Sequence, residues 1–252
     1  LILDEREIAD VNLEDAVEDY PCVTFLSREG YFKKCTKASL RGNDTQKFKE
    51  NDGLLYSQET SNAAEVLFFT SKAQVYKAKL ADFEDCKASV LGDYVPAKLS
   101  FEEEERVVAA VCLTRYDGKL LFFFANGKGV TLPLSVYQTK TNRKKLTGAF
   151  FAGSPVVGVF RAGDAPEYLL RSDDNRALLV KEEQVVEKTT RTSAGATLFT
   201  LRKNHMLVSA ERYTGARRLE KESKYRKAKL PAAGVLFEDA DPALNQQTLL
   251  EP

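Results

Sequence analysis

Residues 118–137, GKLLFFFANGKGVTLPLSVY, hold two apolar runs, 120–125 and 130–134, on either side of Asn126 and Gly127. The runs are too short for helices and rich in Phe, Val and Thr, and Asn-Gly supplies the positive φ angles of a two-residue turn, so the stretch predicts a β-hairpin. The same outline recurs at 22–35 (CVTFLSREGYFKKC), 65–80 (EVLFFTSKAQVYKAKL) and 167–180 (EYLLRSDDNRALLV). With Gly30, Ala73, Gly127 and Asn175 as turn markers the intervals are 43, 54 and 48 residues, the spacing of one small sheet repeated as a blade. A repeated hairpin at that spacing cannot bury itself alone, and the architecture follows from how copies stack.

The segments between hairpins extend the unit. The third and fourth hairpins are each followed by a polar connector and a short Gly-led apolar strand, at 148–151 and 195–199, and a similar strand stands at 234–237, while 54–56, 107–113 and 156–160 read as further strands. Residues 101–106, FEEEER, read as a solvated acidic loop, and 39–53 as a polar surface loop. A fifth, faintest copy runs from 206–210 across a basic segment to 234–237. Four strands per unit and some five units predict an all-β fold, a β-propeller of about five four-stranded blades, in which radial packing buries both faces of each sheet and leaves only short edges. A pair of β-sandwiches is the competing architecture. Residues 1–18 read as a helix end or linker arriving from an upstream domain, 19–237 as the β domain, and 238–252 as a poorly ordered tail.

At 252 residues, with 43% hydrophobic content including 15 Phe and 10 Tyr, the chain can build a sizeable core. It has no apolar run of about 18 residues to span a membrane and no signal-peptide pattern, which predicts a cytoplasmic protein. Cys22, Cys35, Cys86 and Cys112 form no CxxC pair and read as free thiols; His205 alone offers no zinc constellation. The net charge is zero but unevenly distributed. Residues 1–20 carry eight acids against Arg6, whereas 201–230 carry ten bases against three acids. Such separation predicts an electrostatic face for a polyanion, with a solvated basic loop as the plainer reading.

The residues EDYPCVTFLSREGYFKKC (18–35), LFFTSKAQVYKAKLADF (67–83) and the Gly-led GAFF, GATLFTL and GVLF resemble the C-terminal domain of the A subunit of bacterial type IIA DNA topoisomerases, over nearly the whole of 18–237. That resemblance implies a β-pinwheel, a propeller whose outer strands are exchanged between neighbouring blades, with a basic rim around which double-stranded DNA bends without sequence reading. It implies no catalytic residue and no metal or cofactor in this domain. The tyrosine that links to cleaved DNA belongs upstream, ATP and Mg serve the holoenzyme, and the A-subunit dimer pairs with a separate ATPase B subunit in the bacterial cytoplasm, at the nucleoid. DNA gyrase A subunits carry a glycine-rich basic box after the first hairpin. Here the corresponding loop, RGNDTQKFKENDG (41–53), balances its bases with Asp44, Glu50 and Asp52, which favours a topoisomerase IV-like domain over a gyrase wrapping domain.

The bases expected to contact phosphates are the blade-end sets Lys33, Lys34, Lys37 and Arg41; Lys140, Arg143, Lys144 and Lys145; and Arg212, Arg217, Arg218, Lys224, Arg226 and Lys227. Two other classes compete. A protein-interaction propeller scaffold would use a surface such as the acidic run 102–105. A propeller enzyme would need a convergent carboxylate or His site, and the acids here fall in loops with no recurring partner.

Overall fold

The computed structural model describes residues 17–139, 143–214, 219 and 221–236. The expected linker, apart from Val17 and Glu18, and the expected tail lie outside them. β1 (Pro21–Ser27) and β2 (Tyr31–Thr36) form the first hairpin, and β3 (Leu54–Ser61) pairs with the free side of β1. β4 (Glu65–Thr70) and β5 (Val75–Lys79) form the second; only afterwards does the chain return, as β6 (Asp93–Tyr94), to pair with β2. The cycle then repeats. β7 (Val107–Leu113) joins β4, β8 (Lys119–Phe124) and β9 (Lys128–Pro133) make the third hairpin, and β10 (Lys145–Leu146) returns to β5. β11 (Val156–Arg161) joins β8, β12 (Glu167–Ser172) and β13 (Arg176–Lys181) make the fourth, and β14 (Ala196–Thr197) returns to β9. Last, β15 (Leu207–Tyr213) joins β12 and β16 (Val235–Leu236) joins β13.

The described residues form four antiparallel four-stranded sheets in a pinwheel arrangement, in three of which the outermost strand is delivered from beyond the next hairpin. The expected fifth blade is not among them. Its two strands, β15 and β16, are the two edges of blade 4. Strand exchange explains the miscount: the last blade needs a trailing segment to supply its outer strand, and in sequence that segment looks like the start of another unit. Where earlier units place a hairpin, this one places the short helix Glu222–Tyr225.

The hairpins share one turn. Gly30, Ala73, Gly127 and Asn175 have φ of 90°, 53°, 79° and 55°. Each donates its N–H to the carbonyl three residues earlier, on Ser27, Thr70, Phe124 and Ser172. These are turns closed by one left-handed residue, not the two-residue turn expected at Asn126-Gly127. The Gly-led strands have a related cause. At Gly92 (φ 87°) and Gly195 (φ 68°) a Cβ would sit 2.4 Å from the Phe32 carbonyl oxygen and 2.0 Å from that of Gly129. Only glycine lets the returning strand meet the neighbouring blade's backbone so closely. The expected strand at 148–151 does not form. The pairing residues are Lys145 and Leu146, while Ala149 donates to the Ala73 carbonyl and Phe150 fills the core.

Blade order follows from alternation along the strands. Val66 and Phe68 pack with Cys22, Leu26 and Phe32 between blades 1 and 2, while Leu67 and Phe69 pack with Leu120, Phe122 and Phe124 between blades 2 and 3. Leu121 and Phe123 then meet Tyr168 and Leu170 between blades 3 and 4. Each wholly buried Phe contributes about 1.5–3 kcal/mol, so these interfaces carry most of the stability. Among the described residues no blade follows blade 4, and Leu219 and Tyr225 cover its outer face. The acidic run 101–106 is not wholly solvated: Glu105 is buried, accepting from the Thr70 and Tyr76 hydroxyls and the Glu102 N–H.

Candidate nucleic-acid interface

The sheets have an inner and an outer edge. Successive strands β3, β7, β11 and β15 lie side by side and form the inner one. There the Arg212 guanidinium stands 5.9 Å from the Tyr56 ring of blade 1 and 2.6 Å from Asp164. The opposite edge, β6, β10, β14 and β16, is therefore the rim. Every blade approaches its rim strand the same way. A segment runs alongside the second hairpin strand, bonded to it at Lys34, Lys77, Thr131 and Leu179 through Cys86, Lys144, Lys188 and Arg226 in turn. These four equivalent segments are the places where blade-end bases can face outward together.

The expected bases divide sharply on this frame. Lys33 and Lys34 are buried, each 2% exposed. The Lys33 ammonium donates to the carbonyls of Ala88 (2.9 Å), Val90 (2.8 Å) and Lys47 (3.4 Å), and burial lowers its pKa. Lys34 donates to Asn62 at 2.5 Å and pairs with Asp85 at 3.3 Å. Both faces of β2 are covered, so neither charge is offered to a phosphate, which corrects the expectation for these two. Lys37 is exposed and paired with Glu59, and Arg41 is exposed with no ion pair among the described residues. Lys145 is held by Glu102 at 2.6 Å, Arg212 lies at the inner edge, and Arg226 is bidentate to Glu167 at 2.7 Å. Lys224 lies over the Tyr225 ring. Arg143, Lys144 and Lys227 are exposed on the rim segments without an ion pair among the described residues. Lys140, Arg217 and Arg218 lie outside the described residues.

The structure adds bases that sequence reasoning passed over. Lys188 and the half-buried Arg191 occupy the rim segment of blade 3, among the exposed Thr189, Thr190 and Thr192, and Lys229 follows Lys227 on blade 4. A signal was present: no acid occurs between Glu187 and Glu211, between Asp117 and Asp164, or between Glu222 and Glu238. Each window contains one rim segment.

Other candidate chemistry is weak. Burial, then the hydrogen bond to Asp85, pushes Tyr20 up to about 12, and burial raises Tyr56, Tyr116, Tyr137 and Tyr168 as well. A phenol so shifted holds its proton more firmly at neutral pH. The four cysteines are free thiols. Asp173, Asp174 and His205 converge, but Arg176 and Arg202 stand 3.4 and 3.9 Å from Asp174 and supply the positive charge a cation would bring. Among the described residues no helix is long and apolar enough to cross a membrane.

No family profile matches the chain. It is similar to the DNA gyrase A subunit of Escherichia coli K12, with 25% identity over 188 residues, 70% of this chain and 21% of that protein. It is also similar to the DNA topoisomerase 4 A subunit of Bacillus subtilis, with 22% identity over 216 residues, 83% of this chain and 27% of that protein. The chain thus spans about a fifth to a quarter of the length of these curated relatives. Its fold matches a C-terminal domain of DNA topoisomerase IV with a TM-score of 0.71 at 22% identity, covering 87% of this chain and 73% of that one. It also matches the DNA gyrase A C-terminal domain with a TM-score of 0.55 at 13% identity, covering 86% and 76%.

Proposed function

We propose that this chain, a homologue of DNA gyrase and topoisomerase IV A subunits, is the DNA-binding and DNA-bending domain of a type II topoisomerase A subunit. It takes no part in strand cleavage and presents duplex DNA to a catalytic core elsewhere in the parent protein. The observation that carries the reading is the rim: Arg143, Lys144, Lys188, Arg191, Lys227 and Lys229 stand on equivalent segments of three neighbouring blades, without an ion pair among the described residues. Bases spaced along a convex edge hold a phosphate backbone without reading bases, by releasing its counterions. Bending a duplex by 40–90° costs on the order of 1–6 kcal/mol, which several such contacts offset. Titrating the chain with duplex DNA at two salt concentrations tests this. Affinity falls steeply with salt if the rim binds phosphate; no binding at low salt overturns the reading.

The domain is topoisomerase IV-like in our reading. The loop after the first hairpin balances its charges, and its Lys47 carbonyl and main chain are used to cover Lys33 and to bond Ala88, so it is a structural lid and not a basic box. A bending domain leaves the linking number of a relaxed, nicked-and-resealed plasmid nearly unchanged, whereas a fully wrapping gyrase domain shifts it. In the parent protein, ATP and Mg belong to the holoenzyme, whose A-subunit dimer would join an ATPase B subunit.

A further inference from the structure

The rim is not basic all the way round. The segments of blades 2, 3 and 4 lie in the three acid-free windows of the sequence. Blade 1 is the exception. Its segment offers Lys87 as an exposed base close behind exposed Glu84 and Asp85, and its rim strand begins at Asp93. The charges of Asp93, Glu84 and Asp85 all reach Cys86, adding to the burial that raises its thiol. Asp85 is paired with Lys34 at 3.3 Å and Asp93 with Lys98 at 3.0 Å, which leaves Glu84 as the acid there without an ion pair among the described residues. Beside this edge, the loop 41–53 sets Arg41, Lys47 and Lys49 against Asp44, Glu50 and Asp52.

We propose that bound duplex follows a one-sided arc over the outer edges of blades 2, 3 and 4 and leaves the protein before blade 1, with Lys188 and Arg191 as its central phosphate contacts. This rests on the DNA-binding reading above. The blade 3 segment suits a central role. Its two bases are interleaved with Thr189, Thr190 and Thr192, hydroxyls that can donate to phosphate oxygens without adding charge. Arg191 is also near enough to the blade 2 boundary for its charge to act on Lys77 and Tyr137. Thr192, next to it, lies against the blade 2 approach, where a Cβ at Gly148 would sit 3.5 Å from its methyl, so the two rim segments adjoin. Past blade 4 the path meets Leu219 and Tyr225, which cover that blade's outer face, and past blade 2 it meets a segment whose one base, Lys87, stands beside Glu84 and the paired Asp85 and Asp93. Screening over about 8–10 Å in physiological salt keeps these local charges distinct, so blade 1 offers a phosphate little net attraction while blades 2, 3 and 4 each offer bases without an ion pair among the described residues.

The test uses the full chain and a duplex of about 40 base pairs, titrated over a range of salt. Five variants are compared: R143E/K144E on blade 2, K188E/R191E on blade 3, K227E/K229E on blade 4, and Lys87→Glu and Glu84→Lys on blade 1. Because each base contact contributes about 0.9 to the slope of log affinity against log salt, the first three variants each reduce that slope by nearly two, with a loss on the order of 10- to 100-fold near 0.1 M salt. Lys87→Glu changes affinity less than twofold, and Glu84→Lys lengthens the DNA protected from hydroxyl radicals. Thermal melts show that each variant is folded. If Lys87→Glu weakens binding as much as the paired variants, or K188E/R191E leaves the slope unchanged, the arc is wrong. Failure of the unaltered chain to bind would instead remove the DNA-binding reading beneath it.

Discussion

Arg226 separates a base that builds the fold from one that serves it. Its Nε and Nη2 donate to the two Glu167 oxygens, each at 2.7 Å, and Nη2 also lies 2.8 Å from Glu222. Glu167 opens β12, is 7% exposed, and pairs in register with Lys181 and Tyr213. Arg226→Ala leaves that carboxylate without its fork. Breaking a fully buried pair costs about 3–5 kcal/mol, and an exposed pair is worth about 0–1. The Arg226 side chain is 39% exposed, so solvent screens part of the loss and about 2 kcal/mol is the expected cost. For a chain of this size that lowers Tm by roughly 4–8 °C. Differential scanning calorimetry reads the shift, and a DNA titration well below both melting temperatures reads affinity. The expected result is a lowered Tm with affinity changed less than about threefold, one lost contact at most. In a double-mutant cycle with Glu167→Gln, most of the cost couples between the two positions. An unchanged Tm with a large loss of DNA affinity would refute the assignment and return Arg226 to the interface.

Three further outcomes follow from the same geometry. Lys33→Met removes three hydrogen bonds to carbonyls and is expected to cost about 1–3 kcal/mol in urea unfolding while leaving DNA affinity intact. Because burial lowers the Lys33 pKa in the fold, the unfolded chain binds more protons just below the ordinary lysine range, so stability rises with pH there; the variant loses that rise, and an unaltered alkaline limb would show that Lys33 is solvated. Gly195→Ala pushes a Cβ to 2.0 Å from the Gly129 oxygen at a φ of 68°, so the β14–β9 pairing should open, seen as faster amide exchange at the donors bonded there. Lys145→Gln should release Glu102, whose carboxyl is held at about 2, first by Lys145 and then by Gln74 and Lys72. NMR titration would follow that carboxyl upward, and the stabilisation lost as pH falls from the ordinary carboxylate range towards 2 would shrink; a carboxyl that stays near 2 would show that Lys145 is not its main partner.

The fold was legible where the chain interacts with itself locally. Four hairpins were read from apolar runs and four turn markers, and those four residues are the ones that adopt the left-handed conformation at the hairpin turns. Ala73 shows why the turn type was harder to read, since nothing in its residue type asks for a positive φ; the Thr70 carbonyl and the packing of the blade impose it. Blade count failed because β16 belongs to the sheet of β13, where Leu236 lies opposite Arg176 and Val235 opposite Ala177. The whole of β14 and β15 intervenes between those partners, and no local pattern records which sheet a two-residue strand will join.

The rim was legible in sign but not in detail, and β2 shows the reason. In a half-exposed strand, alternate residues face water, so one of two consecutive lysines is free to meet a ligand. Lys33 and Lys34 sit on a strand covered on both faces. Thr24 and Lys34 share the side towards blade 2, while Phe25 and Lys33 share the side under the loop 41–53. Identical residue types thus become interior cations held by carbonyls and an asparagine, at a desolvation cost that their partners must offset. Whether a base is available is settled by what covers its strand, a long-range fact. Whether a segment lacks acids is a local one, and the acid-free windows around Lys144, Lys188 and Lys227 were a signal open to the sequence that the expectation, which passed over Lys188, did not use.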